Sequence, residues 1–293
     1  MRLAGCTAVV TGAASGIGRA IAISLAARGC HLALVDLNAE GLSDLVDQLS
    51  TSGVRRTMHV LDVSDAAAVA ALPEQVVMVH QRVDILVNNA GVALGGTFEQ
   101  VSQRDFEWLF GINFWGVVRM TRAFLPLLAS REEARLVNLS SIFGLIAPPG
   151  QTAYASSKFA VRGFSESLRH ELRGNSVGIT VVHPGGVNTS IARNARVHRG
   201  ATADEVERAR VTFQAALTLS PAVAGEIIVR GIERRSPRVI VGRDAIIAAT
   251  LERLAPVSYW KLLERIGSSA PRANNAGGIM RRMAVRITGS LGK

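Results

Sequence analysis

The sequence predicts an α/β fold, a doubly wound parallel sheet in a single domain with a C-terminal helical extension. Apolar segments of four to six residues alternate with stretches of helical periodicity, which is the pattern of repeated strand–helix–strand units. A chain of 293 residues with 48% hydrophobic residues can also bury one large core. Because parallel crossovers are right-handed, helices are expected on both faces of the sheet.

The predicted elements follow one another in regular order. Each predicted strand is a short, mostly apolar run, and each predicted helix has apolar residues at helical spacing. Strands are predicted near 7–11, 31–36, 56–61, 84–88, 135–140, 177–182 and 238–242. Helices are predicted near 17–28, 39–51, 66–81, 103–129, 151–174 and 221–234. A further helix over 245–266 is expected to break or kink at Pro256.

A glycine-rich turn follows the first strand. Its sequence over residues 11–18 is TGAASGIG, between an apolar strand and the start of a helix. Gly12 permits the tight turn, Gly16 lets the backbone approach a pyrophosphate, and Gly18 lets the helix pack closely on the strand. The phosphates would then lie at the helix N-terminus. The turn therefore predicts a Rossmann-type fold with a bound dinucleotide.

An acidic residue ends the second predicted strand. Asp36 lies 18 residues beyond Gly18, where a carboxylate can accept hydrogen bonds from the adenosine ribose hydroxyls and repel a 2′-phosphate. Neither Leu37 nor Asn38 is basic, so this position favours NAD over NADP. The alternative is that Asp36 caps the following helix.

A tyrosine and a lysine stand four residues apart in the predicted helix 151–174. The chain has only two tyrosines and three lysines in all, yet one of each is found here, as Tyr154 and Lys158. Positions i and i+4 share a helix face, so the ammonium group is expected to lower the pKa of the phenol. Such a phenol can serve as a general acid or base. The alternative is a chance pair on a solvated helix face.

Taken in order, these motifs resemble the short-chain dehydrogenase/reductase family, in its branch with a T-G-x-x-x-G-x-G turn. The resemblance covers about residues 3–242. Its further motifs are Asp62-Val63, the segment NNAG at 88–91, INFWG at 112–116, Ser141 thirteen residues before Tyr154, and PGGVNT at 184–189.

The resemblance implies a catalytic tetrad of Asn113, Ser141, Tyr154 and Lys158. Tyr154 would transfer the proton, and Ser141 would hydrogen-bond to the same substrate oxygen. Lys158 would lower the tyrosine pKa and bind the nicotinamide ribose, and Asn113 would hold a water that links the lysine to solvent. The neighbouring Ser140 is the alternative serine, since strand residues alternate faces.

The resemblance also implies a nicotinamide cofactor, with NAD preferred over NADP, and a domain organisation. The expected cofactor-binding residues are Gly12, Ser15, Gly16, Ile17, Gly18, Asp36, Asp62, Val63, Asn89, Ala90, Gly91, Tyr154, Lys158, Pro184, Gly185, Val187 and Thr189. Residues 1–243 are expected to form the dinucleotide-binding catalytic domain, with a substrate-covering flap near 190–220. Residues 244–293 are expected to form the helical and basic extension.

Composition narrows the remaining possibilities. Cys6 and Cys30 are the only cysteines and form no metal-binding pattern, so neither a disulfide framework nor a metal site is expected. His183, beside the 184–189 loop, is interpreted as a packing residue. Without a signal-like leader or a run of 18 apolar residues, a cytoplasmic protein is expected.

Positive charge is confined to the last third of the chain. Residues 1–189 hold 15 basic and 15 acidic residues, whereas residues 190–293 hold 18 and 8, which accounts for the net charge of +10. The excess positive charge either lies on a solvated surface without a binding partner, or it attracts anionic lipid headgroups or another anionic partner. A nucleic-acid partner is not expected, because the motifs already predict a dinucleotide-binding fold. The extension could pack on a partner subunit, cover the substrate pocket or lie on a membrane.

These observations predict an oxidoreductase that transfers a hydride between NAD(P) and an alcohol or carbonyl compound. The extension favours a lipophilic substrate of the steroid, retinoid or long-chain alcohol type. A 3-ketoacyl-thioester reductase is an alternative, and a non-catalytic nucleotide-sensing or scaffold protein is an alternative of another class. The long apolar helices over 106–128 and 159–172 correspond to a symmetric bundle between subunits in the family that the chain resembles, so the resemblance implies a homodimer or homotetramer.

Overall fold

A seven-stranded parallel sheet forms the centre of the molecule. The computed structural model of the chain describes residues 1–191, 193–197, 200, 202–215 and 217–269. The sheet strands are β1 (Thr7–Thr11), β2 (His31–Asp36), β3 (Arg56–Val60), β4 (Ile85–Asn88), β6 (Ala134–Leu139), β7 (Val177–Pro184) and β9 (Arg238–Val241). Their spatial order is β3-β2-β1-β4-β6-β7-β9. The predicted α/β class is therefore confirmed, and each predicted strand is present to within about two residues.

The order of the strands creates a crevice between β1 and β4. From β1 the chain winds outward through β2 to β3, and it then crosses to the other side of β1 to continue through β4. In open parallel sheets, ligands bind beyond the carboxyl ends of the strands at such a reversal. The segments that follow β1 and β4, at residues 12–15 and 89–93, both open into this crevice.

Helices cover both faces of the sheet, as predicted. They are α1 (Gly16–Ala26), α2 (Ala39–Gln48), α3 (Ala66–His80), α4 (Gln103–Phe110), α5 (Val117–Ala129), α6 (Thr152–Glu171) and α8 (Pro221–Glu233). One apolar core joins α1, α2 and α8 to the sheet, and a second core on the opposite face joins α3 and α5 to it. The central strands β1, β4, β6 and β7 are buried on both faces, which explains why they read as continuous apolar runs rather than alternating ones.

The predicted helix 103–129 has the right extent but is not one regular helix. A π-helical segment, Gly111–Gly116, separates α4 from α5. A π-helix widens the backbone turn by one residue and is often found at functional sites. The widening lies at Asn113, and apolar periodicity alone could not reveal it.

The flap region contains elements that the sequence did not predict. Helix α7 (Ala203–Gln214) lies within it, and the two-residue strands β5 (Leu94–Gly95) and β8 (Arg196–Val197) pair in parallel. The guanidinium of Arg196 stacks 3.5 Å from the centre of the Trp108 ring. A strand of two residues is too short to show periodicity, so the sequence could not predict the pairing of β5 with β8.

The extension forms two helices separated at the predicted proline. Helix α9 (Arg243–Leu254) is followed by α10 (Tyr259–Ser269), and Pro256 lies between them. Both pack on the segment after β6 through an apolar cluster that includes Ile142, Phe143 and Leu263. The basic tail expected beyond residue 270 lies outside the described residues. No helix in the described part of the chain is long and apolar enough to cross a membrane.

Candidate active site

One cavity collects most of the predicted site residues. It lies beyond the carboxyl ends of β1, β4, β6 and β7 and has a volume of about 140 Å³. The predicted residues that line it are Ile17, Asn89, Gly91, Ser141, Tyr154, Lys158, Pro184, Gly185, Val187 and Thr189. The other predicted residues, Gly12, Ser15, Gly16, Gly18, Asp36, Asp62, Val63, Ala90 and Asn113, lie outside this lining.

The cavity lining also contains residues that the sequence did not identify as site residues. They are mostly apolar and come from segments far apart in the chain: Ala93, Leu139, Ile142, Phe143, Gln151, Gly186, Ile191, Leu217 and Asp244. Apart from Gly186, which belongs to the PGGVNT motif, no local motif marks these residues, because only the tertiary fold brings them together.

The turn between β1 and α1 has the geometry that a bound phosphate requires. Gly12 and Gly16 have φ angles of +66° and +55°, a region that favours glycine. A Cβ atom at Gly18 would collide with the carbonyl oxygen of Gly12. The N-cap residue Ser15 makes no side-chain hydrogen bond to the first N–H groups of α1. Those groups have no acceptor within the helix, so the turn fits the pyrophosphate of a dinucleotide.

Asp36 lies against this turn and does not cap the next helix. One carboxylate oxygen accepts a hydrogen bond from the Ala14 N–H at 2.9 Å, and the other accepts one from the Asn38 N–H at 3.0 Å. Helix α2 is capped instead by Asn38, whose side-chain oxygen accepts from the Gly41 N–H at 3.0 Å. The capping alternative for Asp36 is therefore excluded, and the ribose contact of its carboxylate stays a prediction.

Thr11 holds in place the loop that follows β4, at residues 89–93. The sequence did not reveal this role. The Thr11 hydroxyl oxygen accepts hydrogen bonds from the Asn89 N–H at 2.9 Å and the Ala90 N–H at 3.0 Å. The same hydroxyl donates to the Val87 carbonyl at 3.2 Å. The Asn89 side chain in turn donates to the carbonyls of Thr11 and Gly12. One buried hydroxyl therefore joins the glycine turn to the loop that follows β4.

Three of the four predicted tetrad residues meet in the cavity. Tyr154 and Lys158 lie one turn apart on α6, and the lysine Nζ is 5.7 Å from the centre of the tyrosine ring. The Ser141 side chain lies close enough to Tyr154 to lower the pKa of the phenol, and its hydroxyl oxygen also accepts a hydrogen bond from the Phe143 N–H at 3.1 Å. By contrast, the Ser140 hydroxyl donates to the Lys158 carbonyl at 2.8 Å. Of the two serines, Ser141 is therefore the one whose hydroxyl faces the tyrosine.

Burial dominates the electrostatics of this group. It raises the pKa of Tyr154, and the Ser141 side chain lowers that pKa by less. Burial also lowers the pKa of Lys158 to about 8. On balance the pKa of Tyr154 is therefore raised in the protein alone, whereas a lowered pKa was expected, and the lowering effect of Lys158 stays a prediction. The physical reason is that desolvation of the phenolate outweighs the other effects.

Asn113 lies behind the lysine and is engaged by the protein. Its Oδ1 accepts from the Val92 N–H at 2.8 Å, and its Nδ2 donates to the Val92 carbonyl at 3.0 Å and the Ser157 hydroxyl at 3.2 Å. A Cβ atom at Gly91 would stand 3.1 Å from Asn113 Oδ1 and 3.4 Å from Lys158 Nζ. Asn113 thus ties the loop after β4 to α6, and the water that it was expected to hold stays a prediction.

His183 contacts the backbone of the candidate catalytic serine, Ser141. Its Nδ1 lies 3.0 Å from the carbonyl oxygen of Ser141, and burial lowers the pKa of the imidazole to about 4. A neutral ring must then donate its Nδ1 proton to that carbonyl, since the carbonyl can only accept. The histidine is buried as expected, and it also fixes the backbone of Ser141.

Asp62 and Val63 follow β3 at the far end of the crevice. The Asp62 carboxylate accepts a hydrogen bond from the Ser64 N–H at 2.7 Å. Val63 is buried, and a Cβ atom at Gly116 would stand 2.9 Å from its side chain. These contacts stabilise the end of β3, and the contact with adenine stays a prediction.

Comparisons with known proteins agree on one family. Residues 6–200 match the short chain dehydrogenase family. The putative oxidoreductase SadH of Mycobacterium tuberculosis is 41% identical over 262 residues, which cover 88% of this chain and 94% of that protein. The oxidoreductase UcpA of Escherichia coli is 40% identical over 194 residues, which cover 66% of this chain and 73% of that protein.

Solved structures share the architecture. A short chain dehydrogenase/reductase from Burkholderia phymatum in complex with NAD is 30% identical with a TM-score of 0.81, covering 94% of this chain and 99% of that one. An alcohol dehydrogenase from Thermococcus sibiricus complexed with 5-hydroxy-NADP is 28% identical with a TM-score of 0.69, covering 81% and 94% of the two chains.

Replacing Thr11 with valine should destabilise the crevice. Val has nearly the same shape but leaves two buried N–H groups without an acceptor, which should lower the free energy of unfolding by about 2–4 kcal/mol. Urea denaturation measures this difference. Thr11→Ser, which keeps the hydroxyl, is the matched control and should lose less than half as much. Equal losses in the two variants would show that the methyl group, and not the hydroxyl, matters.

Proposed function

Because the chain belongs to the short-chain dehydrogenase/reductase family of oxidoreductases, we propose that it interconverts an alcohol and a carbonyl compound with NAD as the preferred cofactor. The observation that carries the proposal is the group formed by Ser141, Tyr154 and Lys158. It stands in a largely apolar cavity next to a turn that fits a dinucleotide pyrophosphate. A phenol beside a serine there can exchange a proton with a substrate oxygen.

The proposed proton transfer follows from the environment of Tyr154. The nicotinamide cofactor, when bound, carries the hydride. In carbonyl reduction, the Tyr154 hydroxyl donates its proton to the substrate oxygen, and Ser141 holds that oxygen by a hydrogen bond. Burial supports this direction, because the raised pKa keeps the tyrosine protonated at neutral pH. In alcohol oxidation, the ionised phenol accepts the proton, and the charges of Lys158 and of an oxidised nicotinamide favour that form.

A lipophilic substrate is supported by the residues around Tyr154. Ile142, Phe143, Ile191 and Leu217 line the cavity with apolar surface. Apolar side chains of α9 and α10 pack behind Ile142 and Phe143 and keep this wall dry. A steroid, a retinoid or a long-chain alcohol would bury its hydrocarbon part against this surface and direct its oxygen to Ser141 and Tyr154.

The preference for NAD is supported by Asp36. Its carboxylate is partly exposed beside the turn, so it can accept hydrogen bonds from the ribose hydroxyls and repel a 2′-phosphate. This repulsion also counts against a 3-ketoacyl-thioester reductase that draws on NADPH. A non-catalytic sensor or scaffold is disfavoured because the serine, tyrosine and lysine are all present.

Assembly with further copies of the chain is also proposed. Trp115 and Phe159 are 49% and 38% exposed. A large aromatic side chain exposed next to α5 and another on α6 support a symmetric contact between subunits, in a homodimer or homotetramer. The basic last third of the chain could in addition contact an anionic membrane surface, which the net charge of +10 supports.

Loss of the Tyr154 hydroxyl should abolish turnover. Tyr154→Phe keeps the ring in place, so NAD binding should persist while turnover falls by about 10²–10⁴-fold. A screen of steroids, retinoids, fatty alcohols and acetoacetyl thioesters with both cofactors first identifies the substrate. Tyr259→Phe changes the other tyrosine of the chain and is the matched control that should retain proton transfer. Turnover near the wild-type level in Tyr154→Phe would refute the proposed role.

Exchange of charge at the end of β2 should change the cofactor preference. Asp36→Asn keeps an acceptor for the Ala14 N–H but removes the repulsion, and Leu37→Arg supplies a partner for a 2′-phosphate. Leu37 is 62% exposed, so the arginine can be accommodated. The double variant should shift the ratio of NADP to NAD affinity by about ten- to hundredfold, measured by titration calorimetry. Leu37→Ala is the control, and tighter binding of NADP than of NAD by the wild type would contradict the role of Asp36.

A further inference from the structure

Asp244 is an acid of the C-terminal extension whose side chain lines the proposed active site. It stands in the first turn of α9, is partly buried, and lines the same cavity as Tyr154 and Lys158. Asp244 and Lys158 are the only acidic and the only basic residue among the described residues that line this cavity. The carboxylate therefore gives the cavity a localised negative charge that the proton transfer does not use.

The carboxylate holds the loop that follows β7. Its Oδ2 accepts a hydrogen bond from the Gly186 N–H at 2.7 Å. A Cβ atom at Gly185 would collide with the same carboxylate, and so would one at Gly242, where φ is +104°. Since two glycines make room for it, the loop and the start of α9 are shaped around this one side chain.

The position of the loop at residues 184–187 indicates which part of a bound dinucleotide the Asp244 carboxylate would face. A dinucleotide with its pyrophosphate at the N-terminus of α1 must bring its reactive ring close to Tyr154. The cavity between these two points is bordered by Ile17 on one side and by residues 184–187 on the other. A ring in this cavity therefore lies next to the loop that Asp244 holds.

The two oxidation states of the ring differ in charge, and Asp244 distinguishes between them. The oxidised nicotinamide is cationic and the reduced ring is neutral. A nearby carboxylate in a cavity of low polarity stabilises the cation selectively. Lys158, the basic residue of the lining, donates a hydrogen bond to the Leu139 carbonyl at 3.1 Å on the β6 side of the cavity.

We propose that Asp244 is a positioning residue that also makes the enzyme bind the oxidised cofactor in preference to the reduced one. It acts by holding the Gly186 backbone and by placing its negative charge beside the nicotinamide ring. The inference rests on the proposed function, because it requires that NAD binds in this cavity.

The test compares the affinities of NAD⁺ and NADH in charge-neutral variants. Asp244→Asn keeps the shape and an acceptor oxygen for the Gly186 N–H but removes the charge. Affinity for NAD⁺ should fall about five- to thirtyfold relative to that for NADH, as measured by calorimetry and by NADH fluorescence. Glu252→Gln removes the same charge two turns further along α9, outside the cavity lining, and should leave the ratio unchanged.

The outcomes separate this inference from the proposed function. Equal changes in the two affinities for Asp244→Asn, or none, would overturn the inference while the proposed function stands. A wild-type protein that binds neither form would instead refute the proposed function. Asp244→Ser repeats the test with a smaller acceptor. If both neutral variants fold but bind neither form, Asp244 has only a structural role, and the redox preference is overturned.

Discussion

The burial of Lys158 and the partial burial of Tyr154 beside the end of β6 form the constraint on which the rest of the site depends. Taking an ammonium group out of water is costly, and burial accordingly lowers the pKa of Lys158 to about 8. The protein offsets it in part by directing the lysine Nζ to the Leu139 carbonyl. The same dry environment raises the tyrosine pKa, so the phenol is held as an acid until another charge stabilises its anion.

Several distant segments maintain this environment. His183 on β7 holds the Ser141 carbonyl, and the Tyr259 hydroxyl on α10 accepts a hydrogen bond from the Ala147 N–H at 2.9 Å. Apolar residues of α9 and α10 pack on the segment that follows Ser141. The extension therefore contributes to the shape of the cavity as directly as the strand ends do.

The sequence predicted what is local and missed what depends on contacts between distant residues. The strands were predicted almost to the residue, because each is a buried apolar run, and the break between α9 and α10 was predicted from Pro256. The π-helical turn at Asn113 leaves no trace in the apolar pattern. The role of Thr11 depends on partners 76 to 79 residues away, and that of Asp244 depends on a partner 58 residues away.

The sign of the Tyr154 pKa shift shows why burial must be seen in the structure. From the spacing of Tyr154 and Lys158 alone, the charge of the nearby lysine was expected to decide the shift. A lowered pKa was therefore predicted for Tyr154. The fold buries Lys158 and partly buries Tyr154, and desolvation then becomes the larger effect. The capping alternative for Asp36 was likewise decided only when Asn38 was found to cap α2.

The most direct test of this account is the titration of Tyr154 with and without NAD⁺. Because the chain has only two tyrosines, labelling with [¹³Cζ]tyrosine gives two NMR signals, and Tyr259→Phe assigns them. The account predicts a Tyr154 pKa above the usual value of about 10 in the protein alone and a clear decrease when NAD⁺ is added. A pKa below about 10 without cofactor, or one that NAD⁺ leaves unchanged, would contradict it.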